Sequence, residues 1–207
     1  MDTTCWTSTP AVAAWLAARN MTGDDGYAYF VKRASEIAIA QGRRPVQWSE
    51  VYDHFTDTLD KRTVVHIWKK NTNVTEVVAK GYDVLLNVGY AANSWYLDNL
   101  QDNWLDVYQK EPCTGVPDDL CPRILGGHGE MWGERVDVSD LEQTVWPRLG
   151  AIAERLWSPR STIDPDSAHT RLSYFRCLLN FRGIKSAPVN NANARDPPPG
   201  PGSCYAQ

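Results

Sequence analysis

Four short apolar runs constrain this chain more than any other feature. They are "RPVQW", "TVVHIWK" (63–69), "YDVLLNVG" (82–89) and "RILGG", and each is separated from the next by a helical stretch or a long loop. Runs of four to eight apolar residues bounded by polar turns read as buried strands. Strands that alternate with helices or long loops pair in parallel. Each run ends in aromatic or polar residues: Trp48-Ser49-Glu50, His66-Ile67-Trp68, Asn87 and Trp132-Gly133-Glu134. The C-terminal strand ends of a (β/α)8 barrel carry the chemistry, but such a barrel needs eight strands and typically about 250 residues. Four βα units in 207 residues also suit a small open α/β sheet. No Gly-rich phosphate loop marks a nucleotide-binding version.

The connecting segments have their own signals. "TPAVAAWLAARN" (9–20) reads as a short helix with Thr9 as cap and Pro10 in first position. In "DDGYAYFVKRASEIAIAQG", Tyr27, Phe30, Ala34, Ile37 and Ala38 recur at helical spacing and Gly42 closes the helix. "NVTEVVAKG" is a short helix with a Gly stop. "SWYLDNLQDNWLDVYQ" is helical in part. "DLEQTVWPRLGAIAERLWS" is an amphipathic helix interrupted near Pro147, and "PDSAHTRLSYFRCLLNFRGI" is the last helix. Beyond residue 185 the chain is rich in Pro and Gly and reads as irregular.

Composition removes several classes of function. The net charge of −4, without runs of one sign, argues against a nucleic-acid surface. No window reaches the roughly 18–20 apolar residues of a membrane span. The first residues, "MDTTCWTSTP", have neither the basic nor the apolar part of a signal peptide. Cys113 and Cys121 flank the turn-rich loop "TGVPDDL", while Cys177 and Cys204 bracket the C-terminal stretch. Staples at such places suit an oxidising compartment. No CxxC or HxxxH spacing suggests zinc, and neither metal nor cofactor is expected. The sequons at Asn20 and Asn73 fit a secretory route.

Three pairs of an aromatic and a carboxylate follow three of the strands. Trp132 and Glu134 lie two apart in "GGHGEMWGERVD" and share a face if the segment is extended. Trp48 and Glu50 repeat this in "QWSEVYD", and Tyr96 and Asp98 in "NSWYLDN". An indole beside a carboxylate suits a sugar, the ring stacking on C–H faces and the carboxylate accepting from hydroxyls. From spacing alone, a packed Trp with an ion-paired Glu is the better account of the Trp132 pair, and the weight for a sugar comes from three such pairs following three successive strands. A metal site at His128, Glu130 and Glu134 lacks helical HExxH geometry among four glycines. His66, on an apolar strand, reads as a satisfied core histidine.

The run "GGHGEMWGERVDVSDLEQTVWPRLGAIAERLWSP" strongly resembles the last-strand segment of the family 20 glycoside hydrolases, the β-N-acetylhexosaminidases. "VQWSEVYD" looks like that family's strand-five segment and "WYLDN" like its strand-seven segment, and "PGPGSCYAQ" is similar to the ending of lysosomal and plant-type members. The resemblance implies an α/β chain forming the C-terminal half, strands five to eight, of a (β/α)8 TIM barrel. Residues 1–185 would be a partial catalytic domain and 186–207 an irregular tail tied by Cys177–Cys204. Trp48 and Trp132 would wall the pocket, Tyr96 would donate to the acetamido oxygen, and Asp98 and Glu134 would bind sugar hydroxyls. The partners implied are glycans ending in N-acetylhexosamine, with a homo-oligomer or a complementing barrel half besides. The full-length family implies a lysosomal, vacuolar or extracellular location.

The sequence departs from the family pattern in two places. The usual "GGE.CMWGE" reads "GGHGEMWGE", with His128 and Glu130 in place of a Glu and a Cys. The catalytic Asp-Glu pair belongs just before Asp2-Thr3-Thr4-Cys5-Trp6, where only Met1 stands, and the sugar-binding Arg of the first barrel half has no counterpart. In the family's substrate-assisted retaining mechanism, that pair orients the acetamido group and protonates the leaving oxygen. The chain alone is therefore expected to be inactive. The alternatives from other classes are a non-catalytic carbohydrate-binding module using Trp48, Tyr96, Trp132 and Glu134, and an interaction module that completes a barrel.

Overall fold

In the computed structural model, residues 2–87 and 95–189 are described. Cys204 and the tail from residue 190 onward lie outside the described residues. The chain divides into two compact units, Met1–Val84 with Pro117–Arg123, and Leu85–Val116 with Ile124–Gln207.

The first unit begins with α1 (Thr4–Ser8), α2 (Pro10–Ala17) and α3 (Gly23–Ala40). Thr22 starts α3 with a capping box: its side chain accepts from the Asp25 backbone N–H, and the Asp25 carboxylate accepts from that of Thr22. Gly42, at φ 69°, follows the end of α3. A Cβ on Gly26 would lie 2.6 Å from the end of the Leu16 side chain, so a larger residue there would require that methyl to shift. After β1 (Val46–Trp48) and α4 (Ser49–Phe55) comes β2 (Val64–Ile67), buried along its whole length. These two strands pair in parallel, Val46 opposite Val64 and Trp48 opposite His66. α5 (Val74–Ala79) is capped by the Asn73 side chain and leads to β3 (Asp83–Leu86), during which the chain passes to the second unit.

The second unit holds α6 (Trp104–Gln109), β4 (Ile124–Gly127), α7 (Leu141–Val145), α8 (Arg148–Trp157) and α9 (Pro165–Phe181). The sheet order is β1-β2-β3-β4. The core of this unit gathers Trp95, Leu97, Tyr108, Ile152 and Leu172. Its large polar side chains are satisfied: the Trp95 indole donates to the Val107 carbonyl at 2.9 Å, and the Tyr108 hydroxyl to Glu154 at 2.9 Å. Asn103 and Asp106 form a second capping box, at α6. Pro147 separates α7 from α8 at a cis Trp146–Pro147 bond.

α1 has no counterpart in the sequence reading, and the stretch read as helical in part is helical over Trp104–Gln109. Two sequence expectations change. Thr9 starts α2 without a side-chain capping bond. β1 ends at Trp48, so Glu50 lies in the first turn of α4 and shares no strand face with Trp48. The three-residue strand is cut short because Ser49 starts the helix, its hydroxyl bonding the His66 carbonyl at 3.3 Å.

Gly127 and Gly129 are small for different reasons. A Cβ on Gly127 would lie 2.3 Å from the Leu86 carbonyl oxygen and 2.6 Å from the Trp95 ring, whereas one on Gly129 would meet the end of the Leu149 side chain at 2.6 Å. A backbone carbonyl cannot yield and a leucine methyl can. Gly127→Ala is therefore expected to destabilise by about 2–3 kcal/mol and Gly129→Ala by roughly 1 kcal/mol. Urea unfolding of both variants checks this, and equal midpoints would contradict the close approach of β4 to Leu86.

Candidate functional site

In the second unit, the candidate site is built around the Asp98 carboxylate. Asn87 closes β3, fully buried, and its Oδ1 accepts from the Trp95 N–H at 3.0 Å. The chain then runs as an isolated parallel bridge, Tyr96 opposite Glu130. Leu97 N–H donates to the Glu130 carbonyl at 2.8 Å, and Glu130 N–H to the Trp95 carbonyl at 3.2 Å. This sets Asp98, itself fully buried, beside the loop that follows β4. Its Oδ2 accepts from the Trp132 N–H at 2.7 Å and its Oδ1 from the Glu134 N–H at 2.9 Å. Gly133, at φ 77°, supplies the left-handed residue between them.

A buried carboxylate needs compensation. Two backbone N–H groups give part of it, and Arg148 adds a favourable charge. The Arg148 guanidinium, 8% exposed, donates to the carbonyls of Leu97 at 2.5 Å, Asn99 at 2.8 Å, Asp102 at 3.0 Å and Thr144 at 2.6 Å. Burial lowers its pKa, while the charges of Asp102 and Asp98 work against that shift. One buried cation thus ties the Leu97–Asp102 turns to the start of α8.

The clamp leaves the neighbouring side chains open. Trp132 is 64% exposed and Glu134 is exposed, while Tyr96 is 6% exposed. The segment 131–134 forms no strand and bends at Gly133, so Trp132 and Glu134 do not sit on one extended face as their spacing suggests. What joins them is the shared grip of Asp98 on their backbones.

In the first unit, Trp48 lies over His66 with ring centroids 4.3 Å apart. His66 is buried and serves as the floor under that indole. Trp68, 43% exposed, donates its indole N–H to Glu50 at 2.9 Å, and Lys69 lies 3.4 Å from the same carboxylate. Burial pushes Glu50 up, but the Trp68 N–H, its own backbone and Lys69 outweigh burial and hold it below the ordinary range.

Of the predicted residues, Tyr96, Asp98, Trp132 and Glu134 are brought together in the second unit, and Trp48 stands in the first. Trp68, Arg148, Asn87 and Glu130 were not singled out as parts of the site. Trp68 carried a signal, an aromatic at the C-terminal end of a strand. Arg148 carried none that spacing reveals, since its partners are carbonyls. Among the described residues, no group of three His, Cys, Asp or Glu side chains is placed to hold a metal ion, and no helix is long and apolar enough to cross a membrane. Cys113 and Cys121 are disulfide-bonded. Cys177 is buried in α9, and its expected partner Cys204 is outside the described residues. Asn20 is exposed at φ 52°, and the exposed Asn73 side chain is engaged as the cap of α5.

The profile of glycosyl hydrolase family 20, catalytic domain, matches residues 1–160. The chain is 46% identical to beta-hexosaminidase 1 of Arabidopsis thaliana over its whole length, covering 39% of that protein. It is 32% identical to the beta-hexosaminidase subunit alpha of Mus musculus over 92% of the chain and 37% of that subunit. Among solved structures, it is similar to the GH20 exo β-N-acetylglucosaminidase of Vibrio harveyi in complex with N-acetylglucosamine. The TM-score there is 0.67 at 25% identity, covering 87% of this chain and 30% of that one. The chain spans about two fifths of the length of the curated relatives it matches.

The clamp makes a specific demand on Asp98. In Asp98→Asn an amide N–H₂ faces one of the two backbone N–H donors, so one buried donor loses its acceptor. The expected cost is roughly 2–3 kcal/mol. Amide hydrogen exchange at Trp132 and Glu134 should accelerate together in this variant. Unchanged protection at both would mean that the loop is held by something other than Asp98.

Proposed function

This chain belongs to glycosyl hydrolase family 20, and from that membership we propose that it supplies part of a β-N-acetylhexosaminidase, with residues 1–185 as a partial catalytic domain. Its fold is α/β with parallel strands, part of a (β/α)8 barrel. The activity proposed for the whole protein is release of terminal N-acetylhexosamine from the non-reducing ends of glycans. The observation that carries the reading is the Asp98 clamp, which puts Tyr96, Trp132 and Glu134 in one place. The sugar bound by the Vibrio harveyi relative, N-acetylglucosamine, has the chemistry these groups suit.

In this reading Trp132 stacks on a C–H face of the ring, and Glu134 accepts hydrogen bonds from ring hydroxyls. The Tyr96 hydroxyl donates to the acetamido oxygen as that oxygen attacks the anomeric carbon. A donor held against that oxygen keeps it aimed at the reacting carbon and gives positional advantage without a protein nucleophile. Asp98, whose two oxygens each accept a backbone N–H, acts by holding the wall, and contact with a hydroxyl is secondary for it.

Nothing among these side chains is placed to protonate a leaving oxygen, and the catalytic Asp-Glu pair of the family is not in the 207 residues. The chain alone is therefore proposed to bind sugar without turnover. A secretory route is proposed on the disulfide-bonded Cys113 and Cys121, because such bonds persist in oxidising compartments. Pairing at β1 with further strands, from another polypeptide or a second copy, is proposed on the half-exposed Val46 at the end of the strand order.

Two measurements test this. The purified chain should show no release of chromophore from a chromogenic N-acetylglucosaminide, and turnover would reveal an acid that the reading does not contain. N-acetylglucosamine should perturb tryptophan fluorescence of the chain, and Trp132→Ala should weaken the response about five- to tenfold, the scale of one lost ring contact. A response identical in Trp132→Ala would remove Trp132 from the pocket.

A further inference from the structure

The two sequons, Asn20-Met21-Thr22 and Asn73-Val74-Thr75, have no part in the reading above, and the fold treats them differently. Asn20 lies in the link between α2 and α3. Its N–H donates to the Ala17 carbonyl at 3.1 Å, and the Met21 N–H reaches back to the Leu16 carbonyl at 3.0 Å. This nested pair of bonds is the Schellman closure of a helix, and Asn20, at φ 52°, fills its left-handed position. The backbone of Asn20 is therefore used, but its amide is not. The side chain is exposed and, among the described residues, makes no hydrogen bond. Two residues on, Thr22 is extended, at φ −77° and ψ 173°.

Asn73 is spent on the fold. Its Oδ1 accepts from the Glu76 N–H at 3.3 Å as the cap of α5, and its Nδ2 donates to the Glu76 carboxylate at 3.3 Å. Thr75 of that sequon lies within the helix.

We infer that Asn20 is the site of an N-linked glycan, in preference to Asn73. The donor is a lipid-diphosphate-linked oligosaccharide. The Asn20 Nδ2 attacks the anomeric carbon of its first sugar. The C–N bond forms, the bond from that carbon to the phosphate oxygen breaks, the lipid diphosphate leaves with the electron pair, and Nδ2 gives up one of its two protons. At Asn20 folding leaves the nitrogen as available as it is in the unfolded chain, so transfer can precede or follow closure of the link. At Asn73 closure of α5 withdraws the nitrogen, and a glycan there takes one N–H of an amide engaged at both ends. The inference rests on the secretory route proposed above, because that route brings a chain to the lipid-linked donor.

The local geometry supplies variants that remove the motif and keep the fold. Asn20→Gly puts at the closure the residue best suited to a left-handed φ. Thr22→Asn keeps a strong cap for α3 and an N–H donor toward the Asp25 carboxylate, which now accepts from the Thr22 hydroxyl at 2.7 Å.

For the test, the whole chain enters the secretory route of a eukaryotic host behind a cleavable leader and is recovered from cells and medium together. Glycan release by an amidase in heavy-oxygen water marks each acceptor asparagine for peptide mass spectrometry. Asn20 should be marked in most molecules and Asn73 in a minority. Asn20→Gly and Thr22→Asn should each erase the Asn20 mark and the mass of one glycan, with the circular dichroism of the deglycosylated parent. An unmarked Asn20 overturns the proposal, as does equal or heavier marking of Asn73. The oxidation state of Cys113 and Cys121, read in the same digest, separates the site from the route. An unmarked Asn20 beside an oxidised pair sinks the site and leaves the route standing. A marked Asn20 beside a reduced pair sustains the site and removes the disulfide as support for the route.

Discussion

The Asp98 carboxylate is the interaction on which the second unit's candidate site depends. It is fully buried, and it takes one backbone N–H on each oxygen, from Trp132 and from Glu134. A buried carboxylate in an apolar interior is prohibitive unless its lone pairs and its charge are answered. Here the answer is distributed. The loop after β4 supplies the donors, Gly133 supplies the left-handed turn that aims them, and Arg148 supplies the countercharge while collecting the carbonyls of the Leu97–Asp102 turns. Removing any one of these leaves another polar group stranded, so the arrangement holds together as a set.

The glycines of "GGHG" follow from the same packing. Gly127 is fixed by the Leu86 carbonyl and Gly129 by the face of α8 that carries Leu149 and Ile152. Those approaches bring the strand end close enough to Trp95 and Tyr96 for the Tyr96–Glu130 bridge to form. The sequence reading took these residues as a strand end with close backbone approach, and the clearances give that approach its partners.

Other parts were legible to different degrees, for physical reasons. The alternation of apolar runs with helices exposed the four strands, because burial of β2 along its whole length leaves it apolar apart from His66. The long amphipathic helices showed through their periodicity and the Pro147 break. Local side-chain competition was less visible. Ser49 ends β1 by starting a helix, which moves Glu50 from a strand face to a helix turn, where it meets Trp68 and Lys69. No spacing rule foresees that, because Trp68 comes from the next strand. The role of Asp98 was hidden in the same way. A carboxylate near an aromatic reads as a sugar contact, yet its partners are main-chain N–H groups that leave no trace in residue identity.

These observations bear on how such a pocket wall is made ready. A ring that must be fixed by its ligand makes the ligand bear the cost of ordering it, whereas a ring held beforehand leaves more of the contact energy for binding. Main-chain anchoring by Asp98 sets where Trp132 and Glu134 begin, and leaves both side chains exposed. Anchoring the Trp68 indole N–H through Glu50 sets how that ring lies without covering its faces, since the N–H is on the ring's edge. Trp68 is an edge-held, face-open indole, and Trp48 reaches a comparable state by resting one face on His66. The Glu50 carboxylate then has a use that the pairing of aromatics with acids in the sequence only hints at: it orders the Trp68 ring, and the ring faces stay open.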